Sequence, residues 1–135
     1  MKQNIKAYMK KHKNIYIEEI YEYQFPDFYY YYNKFLALYQ SNQSQIKLQN
    51  NYTPNNFNKN VQSFLKSYNK NLEVMASRVA KHFGKEENLA PEIWKETVDF
   101  LNKKLKEIAK YSQECYGQNI NVNEYIRFNK GLNFE

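Results

Sequence analysis

Apolar positions in this chain recur at helical spacing. From Pro91 to Tyr116, Trp94, Val98, Leu101, Leu105, Ile108, Ser112 and Cys115 alternate in steps of four and three, which places them along one stripe of a single long helix. Pro91 marks its predicted start, because proline forfeits no hydrogen bond at the first helical position, and Glu92 and Glu96 suit the positive end of the helix dipole. Gly117 marks its stop. Upstream, Leu72, Met75, Ala76, Val79, Ala80 and Phe83 predict a shorter helix ending at Gly84, a residue free to take the positive φ of a C-terminal cap. Downstream, Ile120 and Val122 predict a short extended bridge into a final helix from about Asn123 to Asn129.

The front half repeats the helical pattern with rings. Phe28, Tyr32, Phe35, Leu36 and Tyr39 share one face, with Asp27 placed to cap that helix after Pro26. The run Tyr29 to Tyr32 puts a ring on every face, so some of those rings should meet a partner. Met1 to Ile17 predicts an amphipathic helix around Ile5, Tyr8, Met9, Ile15 and Tyr16. Ser41 to Asn60 is polar and low in complexity, and a linker is expected over about 41–56. Within it Thr53 followed by Pro54 is a helix start, a capping hydroxyl before a proline. From there Phe57, Val61, Phe64, Leu65, Tyr68, Leu72, Met75 and Val79 keep helical spacing. Either one helix runs to Phe83, or Asn69 to Asn71 breaks it and Asn71 caps the second piece; the weak helix propensity of Asn-Lys-Asn favours the break.

Composition alters this picture in two ways. With 14 tyrosines and 9 phenylalanines, the core must be built largely from aromatic rings or be completed by another protein. Tyrosine buries a large ring but brings a hydroxyl that needs a partner. Charge is also uneven: residues 1–71 hold ten lysines against Glu18, Glu19, Glu22 and Asp27, so the whole net charge of +6 resides there and residues 72–135 are balanced. A basic surface attracts phosphate without reading sequence, and Lys10, Lys11, Lys13, Lys81, Lys85 and Arg127 are the candidate nucleic-acid contacts. Lys10, Lys11, His12 and Lys13 also resemble a weak nuclear-import cluster, while a mitochondrial presequence fits less well for want of arginine.

Reaction chemistry is not indicated. His12, His82 and the single cysteine, Cys115, supply no usual zinc-ligand set, and Gly84, Gly117 and Gly131 form no phosphate loop. Cys115 reads as a small buried apolar residue and His82 as a polar edge residue. The carboxylate pairs Glu86–Glu87 and Glu92–Glu96 belong to a connector and a helix start, not to a shielded site. A non-enzyme without metal or cofactor, and without a membrane span, is expected.

The back half resembles a known family. Arg78-Val79-Ala80 ending in Phe83-Gly84, Asn88-Leu89 in the connector, Lys104-Leu105-Lys106-Glu107-Ile108 in the long helix and Asn133-Phe134-Glu135 near the end are similar to the histone-fold domain of subunit six of the TATA-binding-protein-associated factors. That subunit takes the histone H-four role in TFIID- and SAGA-type complexes. Ala90 stands where the family has a capping hydroxyl, and Gln118-Asn119 where it has an arginine. Apolar spacing predicts an all-α chain, with 1–71 as a basic, tyrosine-rich helical extension; the resemblance, which covers 72–135 only, implies a short-long-short histone fold there. It also implies a non-catalytic, nuclear scaffold subunit that pairs with a second histone-fold protein in a transcription or chromatin complex. Trp94, Val98, Leu101, Leu105 and Ile108, with Phe83, Met75 and Val79, would then face the partner. The alternatives are that these positions pack against the chain's own aromatic helix, Phe28 to Tyr39, that the protein binds DNA without sequence preference, or that it braces a large assembly, for example in a mitochondrion.

Overall fold

The computed structural model describes residues 2–42, 49–85 and 88–126. Those residues form five α-helices and no strand: α1 (Lys2–Gln24), α2 (Pro26–Asn42), α3 (Pro54–Lys66), α4 (Tyr68–Phe83) and α5 (Leu89–Tyr116), with single 3-10 turns at Asn50–Tyr52 and Asn123–Tyr125.

The five helices act as three limbs, because two of the junctions are one residue wide. Pro26 has no N–H to give to the preceding turn, so α1 ends at Gln24 and the chain bends at Phe25 before continuing as α2. Ser67 alone separates α3 from α4. Cross-limb pairs give the directions. Lys13–Glu96, Tyr21–Phe100, Tyr32–Glu107 and Phe35–Tyr111 rise together in number, so α1–α2 runs parallel to α5. Tyr16–Phe83, Phe25–Tyr68, Phe28–Phe64 and Phe35–Phe57 run in opposite order, so α3–α4 is antiparallel to that limb. The result is an up-down-up bundle whose first and second limbs interrupt their helices at the same level. There Phe25 lies 4.8 Å from Phe64 and 6.0 Å from Tyr68, ring centre to ring centre, and Gln24 Nε2 donates to Asn71 Oδ1 at 2.8 Å.

One hydrophobic core runs through all three limbs, from Ile20 and Tyr21 on α1 to Cys115 and Val122 at the far end. Rings supply much of it, as the composition required: Phe28 stacks on Phe64 at 4.1 Å, and Phe57 contacts Phe35 and Tyr116, each at 4.8 Å. Several tyrosine hydroxyls reach the rim and find acceptors there. Tyr31 donates to the Asn51 carbonyl, Tyr52 to the Tyr31 carbonyl and Tyr116 to the Tyr52 carbonyl. The buried Thr97 hydroxyl returns to the Ile93 carbonyl.

Several local expectations hold. Thr53 Oγ1 accepts from the Asn56 N–H and Pro54 opens α3. Gly117 closes α5 at φ +63, where its N–H and that of Gln118 return to the Gln113 and Ser112 carbonyls. Others are corrected. The long helix starts at Leu89, two residues before Pro91, because proline is tolerated anywhere in a first turn whose N–H groups have no helical partner; its N-cap is Asn88, in the left-handed region at φ +61. Asp27 sits inside the first turn of α2 and Asn71 inside that of α4, so neither occupies a cap position. Gly84 is right-handed, at φ −65; glycine suits it because a Cβ would press into the Ala80 carbonyl oxygen. Residue 72 lies within α4, and the stretch expected to be an extension shares its core with the stretch expected to be a separate domain. After α5 the described chain makes one 3-10 turn at Asn123–Tyr125; the remainder of the expected final helix lies outside the described residues.

Candidate partner-binding surface

The residues expected to face a partner are turned inward. Trp94, Val98, Leu101, Leu105 and Ile108 are buried, as are Met75 and Val79, while Phe83 is half-buried against Tyr16. The apolar stripe of α5 is therefore closed by the chain's own α1 to α4. Of the alternatives weighed from sequence, packing against the aromatic helix describes this arrangement: Phe35 lies 5.8 Å from Tyr111, and Tyr32 bonds to Glu107. Cys115 is buried and forms no disulfide. His82 is an exposed edge residue whose Nδ1 lies 3.0 Å from the Tyr16 hydroxyl.

Three of the candidate phosphate contacts, Lys13, Lys81 and Lys85, lie among the described residues. Lys13 is held by Glu96, Nζ to Oε1 2.6 Å, and this hydrogen bond raises its pKa, reinforced by the nearby charges of Glu96 and Glu92. Lys81 and Lys85 are exposed near the end of α4. Arg127 and the side chains of Lys10 and Lys11 lie outside the described residues.

What the molecule does display is a mixed apolar and acidic face along the outside of the first limb. Ile15, Glu18, Glu19, Glu22, Tyr23, Pro26 and Tyr30 follow one another at steps that keep them on one side of a helix. Ile15 is 56% exposed, Tyr23 66% and Tyr30 61%. These three are among only four large hydrophobic residues so exposed in the described protein, Val74 being the fourth. Two open grooves follow this face. One, of about 370 Å³, is lined by Glu19, Glu22, Tyr23, Pro26 and Tyr30. The other, of about 490 Å³, lies between α1 and α5, where Ile15, Ile17 and Phe100 form the apolar lining and Glu18, Glu96 and Asp99 bring three carboxylates against Lys103.

Its aromatic members are fixed in place. The Tyr30 hydroxyl donates to Glu22 across the bend, and that hydrogen bond raises the Tyr30 pKa. The Arg78 guanidinium carbon sits 4.2 Å from the centre of the Tyr23 ring, so that ring already carries one cation on its face.

No family model, curated protein or solved structure matches this chain.

Sequence reasoning passed over this surface. The acids of residues 1–71 all fall between Glu18 and Asp27, and that clustering beside Tyr23 and Tyr30 was a usable signal. It was submerged in the net positive charge of the front half. Of the Tyr29–Tyr32 run, some of whose rings are expected to meet a partner, Tyr30 is exposed while Tyr32 is fully buried. Among the described residues no group of three or more His, Cys, Asp or Glu side chains could hold a metal ion, and no helix is long and apolar enough to cross a membrane.

Proposed function

We propose that this protein is a non-catalytic helical scaffold subunit that folds by itself and engages its partner through its outer surface. The observation that carries this reading is the closure of the α5 apolar stripe by α1 to α4: Leu101, Leu105 and Ile108 are each fully buried within one chain. Burying such a side chain stabilises by roughly 1.5 to 3 kcal/mol, so the contribution that a histone-type pair draws from a second chain is supplied here from within. Partner recognition then falls to exposed side chains, and the protein can join and leave an assembly as a folded unit.

Sedimentation velocity and thermal unfolding of the full chain test this. A single monomeric species with a concentration-independent, cooperative transition is expected. A dimer whose dissociation coincides with unfolding, or a chain that is unfolded until a histone-fold protein is added, would overturn the reading.

A further inference from the structure

The geometry points to the outer face of α1–α2 as the docking site for a lysine- and arginine-rich segment of another protein. This deepens the scaffold reading above and rests on it.

Charge identifies the occupant. The chain carries +6 overall, yet Glu18, Glu19 and Glu22 lie together on this one face, and Glu96 and Asp99 border the groove beside it. A phosphate backbone would be repelled here, whereas a basic segment would be attracted and oriented. Lys13, Arg78 and Lys103 offset only part of that acidity, and Lys13 is already committed to Glu96.

Apolar contact supplies what charge does not. Tyr23 and Tyr30 are more than half exposed, and Ile15 extends the same line toward the second groove. Exposed aromatic rings beside carboxylates suit long cationic side chains, whose methylene stems lie on the ring while the charged head reaches the acid. The Arg78–Tyr23 contact shows that pairing within the chain itself, 4.2 Å from guanidinium carbon to ring centre. The two grooves, on either side of the Glu18–Glu19 pair, would take successive turns or alternate side chains of one bound segment.

The test is fluorescence anisotropy with labelled peptides of about 15 residues that interleave lysine or arginine with leucine, against matched peptides in which glutamate replaces the basic residues. The full chain is compared with Glu19→Lys/Glu22→Lys, with Tyr23→Ala/Tyr30→Ala, and with Glu73→Lys/Glu114→Lys, which makes the same charge change at exposed positions on α4 and at the far end of α5. Saturable binding of the basic peptides is expected, weakened roughly tenfold or more by either change on the face and by less than about threefold at the control positions. Absence of saturable binding, equal loss at the control positions, or anisotropy that reports only self-association of the chain would overturn the assignment. Each protein is also examined by sedimentation. A folded monomer that binds no basic peptide removes this inference and leaves the scaffold reading standing, whereas a chain that does not fold alone removes the scaffold reading first.

Discussion

The hydroxyl of Tyr32 donates to Glu107 Oε1 at 2.7 Å, joining α2 to α5 across 75 residues of chain. The Tyr32 ring is fully buried while Glu107 is half-exposed, so the bond crosses the edge of the core and aligns the first and third limbs. Tyr32→Phe keeps the ring and removes the donor. A loss of about 1 to 2 kcal/mol is expected from urea unfolding, since the half-exposed carboxylate can recover water in place of the phenol. Tyr32→Phe combined with Glu107→Gln should be clearly non-additive.

Leu105→Ala separates a core position from a partner-facing one. Leu105 is fully buried within the single chain, so truncation should leave a cavity and destabilise the isolated protein by about 2 to 5 kcal/mol. The expected signature is a lowered unfolding midpoint at every protein concentration. An unchanged midpoint accompanied by loss of an oligomer would show that the side chain meets another chain.

Alkaline pH should unfold the protein. Burial pushes the Tyr16 phenol up to about 12 and raises those of Tyr21, Tyr31, Tyr32 and Tyr116 as well. The folded state therefore holds protons that the unfolded chain releases near its ordinary value of 10.0. The sign follows from linkage: this stability is fully present below the unfolded value and is lost as pH rises through the folded ones. Phenolate absorbance should show a delayed fraction of the tyrosines ionising together with the loss of helical ellipticity. Smooth titration of all 14 tyrosines with the ellipticity intact would contradict this.

Gly117 ends α5 at φ +63, and a Cβ there would meet nothing within 4 Å. Gly117→Ala should therefore destabilise through backbone strain alone, by about 1 to 2 kcal/mol. Gly117→Asn should recover part of that loss, because asparagine tolerates the left-handed region. Urea unfolding of the two variants checks the order.

These particulars show what the residue pattern can and cannot carry. The steps of four and three from Trp94 to Cys115 were enough to place α5, and Phe28, Tyr32 and Phe35 were enough to give α2 its buried face, because a one-sided apolar pattern has few other solutions. The pattern does not say whose helices cover a stripe. The inward face of α5 reads the same whether a second chain or α1 to α4 closes it, and a tyrosine face reads as core or as interface equally well. Breaks were harder still. Apolar spacing runs unbroken from Phe57 to Val79 through Ser67, and the amide-rich Asn69 to Asn71 made a stronger local case than one serine. The acidic face of α1 was missed because polar positions on an outer surface carry no periodic constraint of their own.

The parallel pairing of α1–α2 with α5 bears on the order in which the polypeptide leaves the ribosome. Tyr32 and Phe35 emerge well before Glu107 and Tyr111, which help cover them. A nascent fragment stopping short of α5 leaves the side of that aromatic surface that faces α5 wet and prone to clump. Release of an interrupted translation product is therefore more hazardous for this protein than for one assembled from neighbouring hairpins, and any truncation before Leu89 should be recovered as aggregate.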